Sequence, residues 1–127
     1  MQGRGGKFES IDKALAEIDT KNIFVDFHAE ATAEKKAMGY YLNGRVTAVL
    51  GTHTHVQTAD EQILSGGTAY ITDVGMTGPE ESVLGVKKEL AIQKQRLNFP
   101  VRFVEADTPC FLNGAVVEFN EATGKAM

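Results

Sequence analysis

The chain has 127 residues, 43% hydrophobic and 24% charged, with a net charge of -4, which suits one domain spanning residues 1–127 with a core of its own. A mildly acidic chain offers no electrostatic footprint for duplex nucleic acid or anionic lipid, and no apolar stretch approaches the length of a membrane span. The start, Met1-Gln2-Gly3-Arg4-Gly5-Gly6-Lys7, lacks the apolar segment of a secretory signal, and the single cysteine, Cys110, permits no intrachain disulfide, so a reducing, cytoplasmic setting is expected.

The first expected element is a helix over Ser10–Ile18, with Ser10 as cap and Ile11, Leu15 and Ile18 on one face. Ile23–Phe27 is a short β-branched and aromatic run and reads as a buried strand. Helix returns over Thr32–Leu42, with Thr32 as cap and Asn43-Gly44 as the stop. Val46–Leu50 is a second short apolar strand. Ile63-Leu64 and Thr68–Thr72 read as two strands around the turn Ser65-Gly66-Gly67. Asp73–Pro79 is a glycine-rich loop, and a third helix is expected over Val86–Leu97. Val101–Val104 and Phe111–Phe119 read as strands around a turn at Asp107-Thr108-Pro109. The alternation predicts an α/β fold with a mixed sheet. Both ends look abrupt: Asn120–Gly124 is a turn, and the chain stops at Lys125-Ala126-Met127, where a returning strand would begin. A piece of a larger protein is the expectation.

The chemistry concentrates in the three histidines, His28, His53 and His55. His28 directly follows the first predicted strand, and His53 lies three residues past the second. In a parallel α/β arrangement the carboxyl ends of adjacent strands share one edge, where ligands bind, so the imidazoles can converge there. On an extended chain, residues two apart point to the same side, which would let His53 and His55 face one cavity. Neutral imidazole is the commonest side-chain ligand of transition metals, and three would suit zinc, iron, manganese or nickel. Thr52 and Thr54 could occupy the second ring nitrogens. The alternative is that these are ordinary strand-end histidines that pack or face solvent.

The carboxylates carry less. Asp26 shares a strand face with His28 and reads as a strand-end acid or a partner for that ring. Glu30 and Glu34 sit where a helix start favours acids. Asp73 ends a strand and could reach the histidine edge or serve only its turn. Cys110 reads as a buried structural thiol, with no histidine near it in sequence. No Gly-x-Ser-x-Gly, Walker or dinucleotide fingerprint occurs.

Three blocks carry a resemblance: Asp26-Phe27-His28-Ala29-Glu30-Ala31-Thr32, then Gly51-Thr52-His53-Thr54-His55-Val56-Gln57-Thr58-Ala59-Asp60, then Ile71-Thr72-Asp73-Val74-Gly75-Met76-Thr77-Gly78-Pro79. In this order they resemble the YmdB-like branch of the calcineurin-type metallophosphoesterases, and Met1-Gln2-Gly3-Arg4 is similar to a family stretch as well. The resemblance covers nearly the whole chain but only the C-terminal half of the family's protein. It implies part of a four-layer αββα sandwich and hydrolysis of phosphodiesters such as 2',3'-cyclic nucleotides at a dinuclear metal site. The resemblance further implies iron or manganese, where the donor set alone also admits zinc, with His28 and His53 on one ion and His55 on the other. Two such cations generate a hydroxide and neutralise phosphoryl charge. The loop with Gly75, Met76, Thr77 and Gly78 is then expected to border the substrate, its glycines allowing close backbone approach.

The chain also departs from the family pattern. The first half of the family's protein supplies a metal-bridging acid, asparagine ligands and a Gly-Asn-His segment, and no Gly-Asn-His occurs here. The expected partners are therefore a second copy of the chain or a separate N-terminal half that covers exposed sheet edges. A non-catalytic metal-binding or oligomerising half-domain is the alternative to an enzyme.

Overall fold

The computed structural model describes residues 6–127. The resemblance noted for Met1–Arg4 therefore lies outside the described residues. Helix α1 spans Lys7–Ala16 and α2 spans Thr32–Leu42. Strands β1 (Phe24–His28), β2 (Ala48–Thr52), β3 (Gln62–Ile63) and β4 (Ala69–Ile71) form one sheet in the order β1-β2-β4-β3. β1, β2 and β4 run parallel, and β3 returns antiparallel against β4. Parallel neighbours cannot be joined by a tight turn, and α2 is the crossover that joins β1 to β2. The expected mixed α/β fold is present.

Side-chain alternation divides the sheet into two faces. The register pairs Val25 with Val49 and Val49 with Tyr70, so these three point the same way. They meet Met38 and Leu42 of α2 and Phe8, Ile11 and Leu15 of α1 in the hydrophobic core. Each fully buried aliphatic side chain there contributes about 1.5–3 kcal/mol relative to exposure. Helix α2 approaches β4 closely at Gly39, where a Cβ would lie 2.6 Å from the Tyr70 ring. On the opposite face, Leu50 and Ile71 line a cavity with Val117 and Met127, under the C-terminal segment.

The remainder is less regular. β5 (Gly78–Pro79) pairs with β6 (Cys110–Phe111), α3 spans Lys88–Leu97, and β7 (Phe119–Asn120) pairs with β8 (Lys125–Ala126). Several expectations are corrected here. Ser10 lies inside α1 rather than capping it, because the helix begins at Lys7 and Ser10 N–H bonds to Gly6 O. Ala31, not Thr32, occupies the cap position of α2, its carbonyl accepting from Lys35 N–H. Val101–Val104 forms no strand, and only Glu105 bridges, to Val86. The expected strand over Phe111–Phe119 is interrupted from residue 112 to 118, where no neighbouring strand pairs with it; Leu112 is 80% exposed and Val116 93%. Cys110 is a free, exposed thiol rather than a buried one, since β6 pairs with only a two-residue strand. The last residues do form a returning strand, β8.

Candidate metal centre

β1 and β2 lie in register to their carboxyl ends, pairing Phe27 with Gly51 and His28 with Thr52. On the other side of β2, the close approach of the chain leaving β4 depends on Gly51. A Cβ there would lie 1.8 Å from the Thr72 carbonyl oxygen and 3.2 Å from Lys35 Cδ. His28 is thus the last residue of its strand, and His53 is the first residue beyond the neighbouring one. Both are exposed at the edge where parallel α/β sheets bind ligands.

The two rings meet. His53 Nδ1 lies 3.1 Å from His28 Nε2, with ring centroids 5.0 Å apart and planes at 73°. The other nitrogen of His28, Nδ1, is 3.1 Å from Thr52 Oγ1. Two imidazole nitrogens on one ion, at a metal–nitrogen length of about 2.0–2.1 Å, stand roughly 2.9–3.4 Å apart for right-angle to tetrahedral geometry. The observed separation lies in that interval, and the Thr52 hydroxyl is the outer hydrogen-bond partner that fixes a ligating ring. The pair fits a metal ion as two donors of its shell.

His55 is not brought to this pair. Among the described residues, no group of three His, Cys, Asp or Glu side chains gathers to hold an ion. The expected extended His-x-His does not form, because β2 ends at Thr52 and the chain bends. His53 has φ 129° and His55 φ 69°, both on the side that L residues avoid. Thr54 fixes the bend: its hydroxyl donates to Val56 O at 3.0 Å and accepts from Val56 N–H at 3.2 Å. Side-chain alternation therefore does not carry through this segment.

Asp73 organises what lies beneath. Its Oδ2 accepts from Thr54 N–H at 2.7 Å and from Lys35 Nζ at 3.1 Å, and its Oδ1 accepts from Gly75 N–H at 2.8 Å. Burial raises the Asp73 carboxyl, but the Gly75 and Thr54 N–H groups and Lys35 outweigh it and hold the pKa below the ordinary 3.8. Sequence alone left Asp73 open between two roles and passed over Lys35. A lysine in a helix at a position facing the sheet was the available signal.

The glycine loop is tied to the histidine segment. Val74 N–H bonds to Gly51 O at 2.9 Å and Met76 N–H to His55 O at 3.1 Å. Met76 O accepts from the Asn113 amide at 2.8 Å. Gly75, at φ 83°, has no room for a Cβ, which would come within 2.9 Å of Gln57 N. Its small size serves this approach of chain to chain. The N–H groups of Val74, Gly75 and Met76 are engaged within the fold, Thr77 is exposed, and Gly78 lies in β5. Asp26 is exposed on the same strand face as His28, Glu34 pairs with Lys7 at 3.2 Å, and Glu30 faces solvent.

Comparison with known proteins agrees with this architecture. A model of the YmdB-like protein family matches residues 2–127. The 2',3'-cyclic-nucleotide 2'-phosphodiesterase of Bacillus subtilis (strain 168) is 52% identical over 122 residues, covering 94% of this chain and 46% of that protein. The crystal structure of a novel phosphatase from Mycoplasma pneumoniae superposes with a TM-score of 0.89 at 38% identity, covering 95% of this chain and 43% of the other. A hypothetical protein from Thermus thermophilus superposes with a TM-score of 0.80 at 42% identity, covering 87% of this chain and 44% of the other. The chain spans under half the length of each of these relatives. With its whole described length matched, the chain belongs to the YmdB-like protein family.

Proposed function

We propose that this chain carries the histidine-bearing part of a metal-dependent phosphodiesterase site, acting on phosphodiesters such as 2',3'-cyclic nucleotides. One observation supports this above others: the His28 Nε2–His53 Nδ1 pair, 3.1 Å apart at the carboxyl edge of a parallel sheet. The kinship with a 2',3'-cyclic-nucleotide 2'-phosphodiesterase supports that substrate class. In this reading His28 and His53 hold one divalent transition metal, iron or manganese before zinc, and His55 serves a second ion. When bound, such ions supply a hydroxide and screen phosphoryl charge.

The chain's own residues do the rest. Thr52 holds the His28 ring so that Nε2 faces His53. The backbone of Val74–Met76 fixes the distance between the histidine segment and the glycine loop. With the N–H groups of those three residues engaged, the exposed Thr77 side chain is the part of the loop that reaches substrate. Two donors do not fill a coordination shell, so the remaining ligands come from a second copy of the chain or from a separate N-terminal half. The chain's setting is cytoplasmic in this reading; among the described residues no helix is long and apolar enough to cross a membrane.

A second reading has its own support. With no third ligating side chain gathered among the described residues, the chain can be a half-domain that binds metal or assembles without turnover. Hydrolysis of a 2',3'-cyclic nucleotide with Mn²⁺, alongside elemental analysis of the purified chain, separates the two. The enzyme reading expects metal-dependent turnover, restored by the missing half if need be and lost in His53→Ala. Metal content unchanged in His53→Ala would remove the site, and stable assembly without turnover under any pairing would favour the half-domain.

A further inference from the structure

Lys35 and Asp73 form an ion pair closed to solvent, each side chain 1% exposed, with Nζ and Oδ2 3.1 Å apart. Two charges withdrawn from water are costly, and an apolar pair of similar volume serves a core as well or better. The pair therefore calls for a role besides filling space. An apolar side chain cannot supply directed acceptors, and both Asp73 oxygens are used as such. Oδ2 takes Thr54 N–H, between the two histidines, and Oδ1 takes Gly75 N–H, at the head of the glycine loop. Both segments hold backbone at positive φ: His53 at 129°, His55 at 69° and Gly75 at 83°. Non-glycine residues stay in such conformations only where the surroundings over-determine them. A charge-assisted bond from backbone N–H to a fixed carboxylate does this more strongly than a neutral one.

We infer that Lys35 and Asp73 are positioning residues for the histidine pair. Asp73 holds Thr54 N–H so that the chain leaves β2 with His53 Nδ1 against His28 Nε2, and Lys35 keeps the carboxylate aimed. Lys35 reaches it from the buried side of α2, its stem passing over Gly51. One carboxylate thus links α2, the end of β4, the histidine segment and the glycine loop. Neither residue needs to touch metal or substrate. The role of the pair in metal binding rests on the proposed metal site; its role in holding the rings together does not.

The test uses the 127-residue chain, Zn²⁺ as probe, and the variants Lys35→Met, Asp73→Asn and His53→Ala. Zn²⁺ affinity is measured by calorimetry, and the imidazole nitrogens of the metal-free chain by long-range ¹H–¹⁵N spectra. With helix and strand content retained, Lys35→Met and Asp73→Asn should bind Zn²⁺ roughly 10- to 100-fold more weakly. The metal-free spectra should also lose the signature of the N–H···N pair. Unchanged affinity and unchanged ring spectra in both variants, with His53→Ala still weakening Zn²⁺, would overturn the positioning role. Failure of the metal site looks different: the unaltered chain takes no Zn²⁺, or His53→Ala binds as tightly, while the metal-free ring spectra still decide the positioning role. Should both variants unfold, amide exchange in the unaltered chain decides. Thr54 and Gly75 N–H should be protected like strand amides, and exchange at open-loop rates would overturn the inference.

Discussion

At the scale of single residues, the site depends on the absence of a side chain as much as on the presence of two. Gly51 lets the β4 exit run against β2, and a methyl group there would collide with backbone, which cannot swing aside as a side chain can. Gly51→Ala should cost about 3 kcal/mol, the upper end of ordinary overpacking. Gly114→Ala meets nothing within 4 Å, and should be neutral or gain up to about 1 kcal/mol by restricting the unfolded chain. Urea unfolding of both variants tests the contrast, and equal effects would contradict the strand-exit geometry. Asp60 gives a pH prediction. Burial raises its pKa, but the Thr72 and Thr58 hydroxyls and Thr72 N–H outweigh it, leaving it below the ordinary 3.8. A lowered folded-state pKa means that the unfolded chain takes up the proton first as pH falls. The contribution of Asp60 is thus complete above the ordinary carboxylate range and is lost as pH drops through and below it. Asp60→Asn should lower stability by about 1 kcal/mol at pH 7 and flatten the acid limb of stability against pH. An unchanged slope between about pH 4 and 2 would refute this assignment. Sequence exposed the histidines at this scale, because their residue type and their place after apolar runs are both visible. It did not expose the bend at His53 and His55, which is set by an N–H bond from Thr54 to an acid nineteen positions away.

At the scale of elements, legibility followed how much of each element's stability is local. The span of α2 was readable from the Asn43-Gly44 stop beside it, although its cap falls one residue earlier than expected, at Ala31. β1 and β2 were found within a residue or two, as compact apolar runs. The segment from 112 to 118 failed, because its strand-like sequence says nothing of whether a neighbour is there to pair with. In the structure it lies against the open face of the sheet without ladder bonds, while β2 is paired on both sides. Amides of residues 112–118 should therefore exchange faster than those of Val49 and Leu50 by orders of magnitude, which hydrogen exchange read by NMR would show. Equal protection would mean that a strand is contributed by something outside the chain, such as a second copy.

At the scale of the whole molecule, the sheet is finished on its helical face, covered on the other only by a segment without ladder bonds, and unpaired along β1 among the described residues. α1 and α2 close the core side, but β1 pairs only with β2 among the described residues, so its outer edge offers unpaired N–H and C=O groups. Phe24 on that strand and Val116 across the open face are exposed. Open edges and contiguous apolar surface both favour association. The histidine pair sits at the carboxyl end of the same outer strand, since His28 is the last residue of β1. A chain that docks along β1 would therefore also approach the proposed metal site. Assembly and metal uptake should then be linked: whatever binds the folded, assembled state preferentially stabilises it by mass action. Sedimentation velocity on the chain should show a mean mass that rises with concentration, and rises further with added Mn²⁺. His53→Ala should keep the first effect and lose the second. If a separately made N-terminal half completes the site instead, adding it should suppress self-association and raise the metal bound per chain. A monomer at every concentration, with or without metal and the added half, would show that the open edge is tolerated and that the two histidines bind as an isolated pair.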